Sequence, residues 1–148
     1  MDCLLSITEK PMNAEIQTAP IRLIRSESEY LEYYSVNQSQ RQNSLKPHAW
    51  VPPTDLIETA DRLIIRIEIA GMKQADFSIH VESRHVVVSG NRPEIRHQGC
   101  FHRMEIPSGE FESEIDLPQS VETDQAIAEY QDGFLSIILP IIPSKRSD

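Results

Sequence analysis

Apolar side chains recur at every second position over residues 63–69, and mostly polar residues lie between them. The apolar set is Leu63, Ile65, Ile67 and Ile69, interleaved with Arg62, Ile64, Arg66 and Glu68. A period of two places successive side chains on opposite faces of a strand, so this segment predicts a β-strand with one buried face. The same period recurs over Phe77–Glu82 and predicts a second strand of that kind.

Further short strands are predicted along the rest of the chain. Val86–Val88 is a β-branched run that is too short for a helix and is closed by Ser89-Gly90. Ala126–Tyr130 and Phe134–Leu139 flank Gln131-Asp132-Gly133, a turn signal that predicts a tight hairpin. About seven short strands with no helical pattern between them predict an all-β fold, an immunoglobulin-like antiparallel β-sandwich. One of these predicted strands is the segment in which Phe111, Ile115 and Leu117 are separated by acidic residues.

Residues 1–49 lack this alternation and cannot close a core alone, so they are predicted to be an N-terminal arm and linker. Within the arm, Glu27–Tyr34 permits a short helix with Ser26 as its N-cap. The polar tract Ser35–Ser44 is the predicted linker. The sandwich is expected over residues 50–140, and residues 141–148 form a short C-terminal tail.

Composition narrows the class of protein. The chain has 148 residues, with 14 Lys and Arg against 23 Asp and Glu and a formal net charge of -9, and no segment concentrates its basic residues. Nucleic acid is therefore not an expected partner. The opening residues lack the pattern of a signal peptide and no apolar run is long enough to span a membrane, so a cytoplasmic protein without a membrane partner is expected. Cys3 and Cys100, the two cysteines, are expected to be reduced.

Four motifs, in order along the chain, resemble those of the small heat shock proteins that share the α-crystallin domain. They are Trp50–Asp55, Ala70-Gly71-Met72, Gly109-Glu110-Phe111 through Leu117-Pro118, and Ala128–Leu135. The last resembles the family's Ala-x-x-x-Asn-Gly-Val-Leu signature, with Asp132 for Asn and Phe134 for Val. The resemblance covers about two thirds of the chain. It implies an ATP-independent chaperone of the stress response, a holdase that binds non-native client proteins without a cofactor.

The stretch Pro93–Glu105 lies where bacterial and plant members carry a long loop whose short strand crosses to the neighbouring subunit. The resemblance therefore implies a strand-exchanged homodimer, possibly within a higher oligomer. The residues expected in this dimer loop are Gly99, Cys100, Phe101, His102, Arg103 and Met104. The alternative is an exposed hairpin excursion with no partner.

Two departures from the family pattern limit what the resemblance implies. Ser113 stands where the family carries an arginine that pairs across the dimer, so that ion pair is missing. The tail has no spaced Ile-x-Ile/Val motif, although Ile141 and Ile142 could plug a groove on a neighbouring dimer. They could equally be the end of the last strand. Weaker or smaller assemblies than the family's large shells are expected.

Two apolar sets are candidates for holding a client. In the arm they are Leu4, Leu5, Ile7, Ile16, Ile21, Leu23, Ile24, Tyr30, Leu31, Tyr33 and Tyr34. Such a flexible apolar segment can adapt to many shapes. In the sandwich a groove at the edge could be lined by Phe77, Ile79, Val81, Leu135, Ile137 and Leu139. For these strand residues the alternative is ordinary core packing.

Other chemistry has weaker support. His97, Cys100 and His102 have a spacing that could supply three zinc ligands, but no second ligand group accompanies them, and no metal is expected. Asp132 is explained by its turn, and no nucleophile motif or phosphate-binding glycine loop occurs, so the chain is not expected to be an enzyme. The main rival function is a monomeric co-chaperone or scaffold domain that binds one folded partner.

Overall fold

Eight strands form two four-stranded sheets in the computed structural model, which describes residues 21–25, 28, 31 and 49–144. The strands are β1 (Arg22–Ile24), β2 (Thr54–Glu58), β3 (Arg62–Glu68), β4 (Phe77–Val81), β5 (His85–Arg92), β6 (Gly109–Asp116), β7 (Ile127–Gln131) and β8 (Phe134–Pro140). Short 3-10 turns occupy Gln74–Asp76 and Thr123–Gln125. Ser28 and Leu31 are helical, and the rest of the predicted helix, with Ser26, lies outside the described residues.

The sheets have the strand orders β1-β4-β5-β6 and β2-β3-β8-β7. Every strand pair is antiparallel except β1 with β4, which is parallel. Apolar residues from both sheets form one core cluster between them. The predicted all-β antiparallel sandwich is confirmed.

The alternation in β3 has the predicted consequence. Leu63, Ile65 and Ile67 have no exposed surface, whereas Arg62 and Arg66 are exposed. In β3 the inward side chains therefore supply the core, and the intervening ones face solvent or lie half-buried.

Strand β4 departs from the one-sided burial that its period of two indicates. All five of its residues are buried, including Ser78 and His80 on the outer face. His80 is opposite Ile24 of β1 on one side and Val87 of β5 on the other, and both neighbours are buried. Strand β1, which lies in the predicted arm and was not predicted, pairs with β4 and places the buried Ile24 beside His80.

Strand β5 does not end at Ser89-Gly90, and this part of the strand prediction is wrong. It continues to Arg92, and Gly90 lies opposite Phe77 of β4 and Phe111 of β6. A Cβ atom built on Gly90 would lie 2.7 Å from Cζ of Phe111 and would also clash with the carbonyl oxygen of Asp76. This glycine is therefore required by close packing against an aromatic ring rather than by a turn.

The hairpin between β7 and β8 is confirmed. Asp132 and Gly133 have φ angles of 52° and 82°, the left-handed conformation that both central residues of a tight type I′ hairpin turn need. The carbonyl oxygen of Gly133 accepts a hydrogen bond from the backbone N–H of Ile69 at 2.8 Å. The positive φ of Asp132 agrees with its interpretation as a turn residue, and the turn also holds the end of β3 through this hydrogen bond.

The contacts of Gly90 lead to a test of core packing. Replacing Gly90 with Ala should lower the free energy of unfolding by about 2 kcal/mol, because neither the Asp76 backbone nor the Phe111 ring can move away without disturbing its own strand. Urea denaturation, followed by the fluorescence of Trp50, measures this change. Ser89→Ala, on the opposite face of the same strand, is the matched control and should change stability by less than ~0.5 kcal/mol. Equal stability of the two variants would contradict the packing argument.

Candidate interaction surfaces

Residues 93–108 leave β5 and return to β6 as a long exposed segment, here called the excursion. All of these residues are described and exposed, and they form neither helix nor strand. Its large apolar side chains are Ile95, Phe101, Met104 and Ile106, with exposed fractions of 72%, 56%, 61% and 79%. Several apolar side chains exposed together are unusual on a monomer and indicate a surface that a partner covers.

The excursion stands over a cleft of about 380 Å³ beside the turn Ala70-Gly71. Side chains of the excursion, among them Ile95, Phe101 and Met104, form one wall. Five of the six residues expected in the dimer loop have exposed side chains, and the sixth is the exposed Gly99. The structure therefore places all six together on one accessible segment.

Arg92 closes the base of the excursion. Its Nε donates to the carbonyl oxygen of Pro107 at 2.9 Å, and its Nη1 donates to that of Ala70 at 3.4 Å. The guanidinium carbon lies 4.3 Å from the ring centroid of Trp50, a cation–π contact. One side chain thus joins both ends of the excursion to the sandwich. Sequence reasoning missed Arg92, whose only signal was its position directly before Pro93.

His97, Cys100 and His102 do not form a cluster. Within the part of the chain that the structure describes, no three His, Cys, Asp or Glu side chains are grouped so that they could hold a metal ion. The His97 ring instead packs edge-on against Phe101, with centroids 6.1 Å apart. Cys100 is an exposed, free thiol, and Cys3 lies outside the described residues.

Strand β2 is at the edge of its sheet. It pairs with β3 on one side, and no strand among the described residues pairs with its other side. Leu56 and Ile57 of β2 are 39% and 43% exposed. An open edge of this kind can accept a strand from another chain.

Ser113, at the family arginine position, points into the sandwich and is 4% exposed. Its Oγ lies 3.3 Å from Oγ1 of Thr54, and that hydroxyl donates to the carbonyl oxygen of Pro52 at 3.0 Å. The buried hydroxyl is therefore satisfied within the chain. The loss of the arginine leaves no buried charge without a partner at this position.

The six residues predicted to line an edge groove lie in the core. Phe77, Ile79 and Val81 of β4 and Leu135, Ile137 and Leu139 of β8 are at most 2% exposed. In this conformation they present no open groove, and the alternative of core packing describes them. Strand β4 is flanked by β1, whose neighbourhood adds Ile21 and Leu23 to the packing around the core, and β8 is flanked by β3 and β7.

The described part of the arm is docked on the sandwich. Ile24 is 1% exposed, whereas Leu31 is 60% exposed. Of the other predicted client-binding residues, Leu4, Leu5, Ile7, Ile16, Tyr30, Tyr33 and Tyr34 lie outside the described residues.

The two predicted tail anchors have different surroundings. Ile141 forms a bridge with Val121, packs against the core, and donates its N–H to the carbonyl oxygen of Asp61 at 2.9 Å. Ile142 is 39% exposed. Ile141 thus packs on its own domain just beyond the end of β8, and Ile142 is the more exposed of the two.

The turn between β2 and β3 holds an ion pair that shifts the pKa of both partners. Hydrogen bonds from Arg62 and then Thr59 hold the pKa of Asp61 below its usual value, and the same contact raises the pKa of Arg62. The Arg62 Nη2 to Asp61 Oδ2 distance is 2.9 Å. Both side chains are exposed, so this pair is screened by solvent and fixes the turn rather than a chemical site.

Comparison with known proteins identifies the family. Residues 55–147 match the Hsp20/alpha crystallin family, and the chain belongs to that family. The 17.8 kDa class I heat shock protein of Arabidopsis thaliana is 32% identical over 95 residues, which are 62% of this chain and 60% of that protein. The resemblance in the four sequence motifs is confirmed.

Solved structures agree with this assignment. HSP18.5 from E. histolytica matches with a TM-score of 0.58 and 28% identity, over 66% of this chain and 94% of that one. A small heat-shock protein from Xylella fastidiosa matches with a TM-score of 0.58 and 25% identity, over 67% of this chain and 93% of that one. The chain spans about three fifths of the length of the two class I Arabidopsis proteins that it matches. No helix among the described residues is long and apolar enough to cross a membrane.

The contacts of Arg92 predict how firmly the excursion is held. Arg92→Ala removes hydrogen bonds to Pro107 and Ala70 and the contact with Trp50, together about 1.4 kcal/mol, or tenfold in a local opening equilibrium. Trypsin should therefore cut after Arg96 and Arg103 about tenfold faster, as followed by mass spectrometry.

The matched control for this variant is Arg84→Ala. Arg84 also donates to a backbone carbonyl, that of Pro118 at 3.0 Å, but at the opposite end of β5 and β6 from the excursion. Cleavage after Arg96 and Arg103 should be unchanged in this control. The assignment of Arg92 as a clamp is wrong if the two variants are cut at the same rate.

Proposed function

We propose that this protein is an ATP-independent chaperone of the cytoplasm, which binds unfolding polypeptides and suppresses their aggregation. The observation that most directly supports it is the exposed excursion, whose Phe101 and Met104 are more than half exposed in a domain of this family. Apolar side chains that are exposed together on a folded domain mark a surface that another polypeptide covers. That polypeptide is a second copy of the chain, a client, or each in turn.

The self-association we propose is a dimer in which the excursions are exchanged. The excursion of one copy adds to the open edge of β2 in the other, and two-fold symmetry repeats the contact. The exposed Leu56 and Ile57 of β2 support this pairing. The buried, hydrogen-bonded Ser113 supports it too, because a dimer without the family arginine leaves no buried charge unsatisfied.

The client-binding surface we propose includes the apolar residues of the arm. Each aliphatic or aromatic side chain that leaves water contributes roughly 1.5–3 kcal/mol, so a few adaptable contacts hold a client without one specific pocket. Leu31, 60% exposed, is the accessible member of this set among the described residues. Several arms in one oligomer would strengthen binding through avidity.

An aggregation assay tests the holdase activity. A heat-labile enzyme is warmed without ATP, and its light scattering should fall in the presence of equimolar protein but not with the same mass of serum albumin. A variant with four apolar arm residues changed to Ser should lose most of this protection; the residues are Tyr30, Leu31, Tyr33 and Tyr34. The control changes four polar linker residues to Ser and should protect fully; they are Gln38, Gln40, Gln42 and Asn43.

Two results would argue against this function. The first is unchanged scattering with the wild-type protein, which would mean that the protein has no holdase activity. The second is equal protection by both arm variants, which would separate the apolar arm from client binding.

A measurement of mass in solution tests the dimer. The double substitution Phe101→Ser and Met104→Ser should convert the dimer to a monomer, because it removes the two apolar side chains that self-association would bury. Size-exclusion chromatography with light scattering gives the mass. Ile127→Ser is the control, since Ile127 is 60% exposed on β7 at the other edge of the second sheet, and this variant should remain dimeric. A wild-type monomer that does not suppress aggregation would favour the co-chaperone alternative.

A further inference from the structure

A row of isoleucines crosses the outer face of the second sheet. The strand register aligns one isoleucine from each of its four strands, which in sheet order are Ile57, Ile64, Ile138 and Ile127. They face away from the core, since the residues on either side of them in β3 and β8 are fully buried. Ile127 and Ile57 are 60% and 43% exposed, and the two central isoleucines are half-buried. A continuous apolar row on the outer face of a sheet indicates a surface that a partner covers.

Carboxylates border the isoleucine row on the side of the β7–β8 turn. Two positions along the strand from each terminal isoleucine lie Asp55 on β2 and Glu129 on β7, at opposite ends of the row. Glu129 and Asp132 also line an open depression of about 470 Å³ beside the row. Within the described part of the chain, neither of these last two carboxylates has an ion-pair partner.

The arginines of this face do not offset its acids. The guanidinium carbon of Arg66 lies 4.1 Å from the ring centroid of Phe134, which is one row further from the isoleucines. Arg62, on the other side of the row, pairs with Asp61. The face beside the row is therefore negative, with four acids around one arginine. The acids are Asp55, Glu68, Glu129 and Asp132.

The dimensions of the row match those of a short helix. Four strands at a spacing of ~4.8 Å make the row about 14 Å long. An α-helix rises about 5.4 Å per turn, so a helix laid along the row presents about one apolar side chain to each strand over three turns. Basic residues near the two ends of such a helix would meet Asp55 and Glu129. A second copy of the chain does not fit, because two of these faces would bring like charges together.

We propose that the outer face of the second sheet is a docking site for a basic, amphipathic helix of another protein. The isoleucine row takes the apolar stripe of the helix, and the carboxylates beside the row take its lysine or arginine side chains. The site is a sheet face, whereas the proposed dimer uses the edge of β2 and the excursion, and the proposed client binding uses the arm. The inference therefore does not rest on the holdase function.

The test uses the full-length protein and a fluorescein-labelled peptide of about 14 residues that is helical by design. The peptide has leucine along one face, lysine on one flank of that face, and alanine elsewhere. A second peptide has glutamate in place of each lysine. Fluorescence anisotropy measures both affinities. The wild type should bind the lysine peptide at least about tenfold more tightly than the glutamate peptide, because the carboxylates attract one and repel the other.

Two substitutions on β7 separate the roles of the row and of the carboxylates. Ile127→Ser shortens the row and should weaken binding of the lysine peptide about fivefold. Glu129→Gln removes one carboxylate charge and should weaken it about threefold, without weakening binding of the glutamate peptide. Both side chains are exposed, so neither change disturbs the core.

Each substitution has a matched control. Val51→Ser removes an apolar side chain that is 70% exposed but lies outside the row, and Glu114→Gln removes an exposed negative charge from the first sheet. Both controls should bind the lysine peptide as tightly as the wild type does. The variant of the arm should also bind it unchanged; its four serines replace Tyr30, Leu31, Tyr33 and Tyr34.

Several results would overturn the proposal. One is a wild-type protein that does not bind the lysine peptide or binds both peptides equally. Another is an equal affinity of Ile127→Ser and Val51→Ser, since the row would then contribute nothing. A third is loss of binding in the arm variant without any loss in Ile127→Ser, because the peptide would then be held as a client by the arm.

Discussion

The packing of Phe77 and Phe111 around Gly90 is the contact on which the rest of the sandwich depends. The two rings meet edge to face at 6.1 Å, a distance that only a residue without a side chain permits on the strand between them. Phe111 continues to Trp50 at 5.6 Å, and Phe77 continues to Tyr130 at 5.0 Å. This aromatic row therefore joins both sheets, and through the cation–π contact of Trp50 it also fixes the base of the excursion.

The aromatic row explains why family motifs that are far apart in the sequence occur together in one chain. The hydroxyl of Tyr130 donates to the carbonyl oxygen of Ile69 at 2.9 Å, next to the turn at Gly71. The backbone of Trp50 exchanges hydrogen bonds with Glu110 and Glu112 on either side of Phe111, each at 3.1 Å. Segments that resemble the family at the start, middle and end of the domain are thus neighbours around one set of rings. Their order along the chain was a strong signal because one packing unit requires all of them.

Alternation of apolar and polar residues predicted most of the fold, because one-sided burial leaves a period of two in strands such as β3 and β8. The alternation did not predict strands that are buried on both faces, or features that depend on residues distant in the sequence. The outer face of β4 is buried although His80 and Ser78 are polar, and Gly90 continues a strand that its composition seemed to end. The three residues of β1 are too few to show any period. The exposed excursion was recognised from its place in the family pattern, but the clamp at Arg92 depends on tertiary contacts that no local pattern contains.

Among the strand edges of the sandwich, the outer edge of β2 and the edge of β4 beside β1 differ in whether another strand covers them. The outer edge of β2 has no strand beside it among the described residues, and the nearby excursion carries exposed apolar side chains. The edge of β4 is covered by β1 and fastened by Arg25. An open edge favours pairing as soon as two copies meet, whereas a covered edge already has a strand beside it. The chain thus leaves the β2 edge open to pairing and covers the β4 edge with a strand from its own N-terminal region.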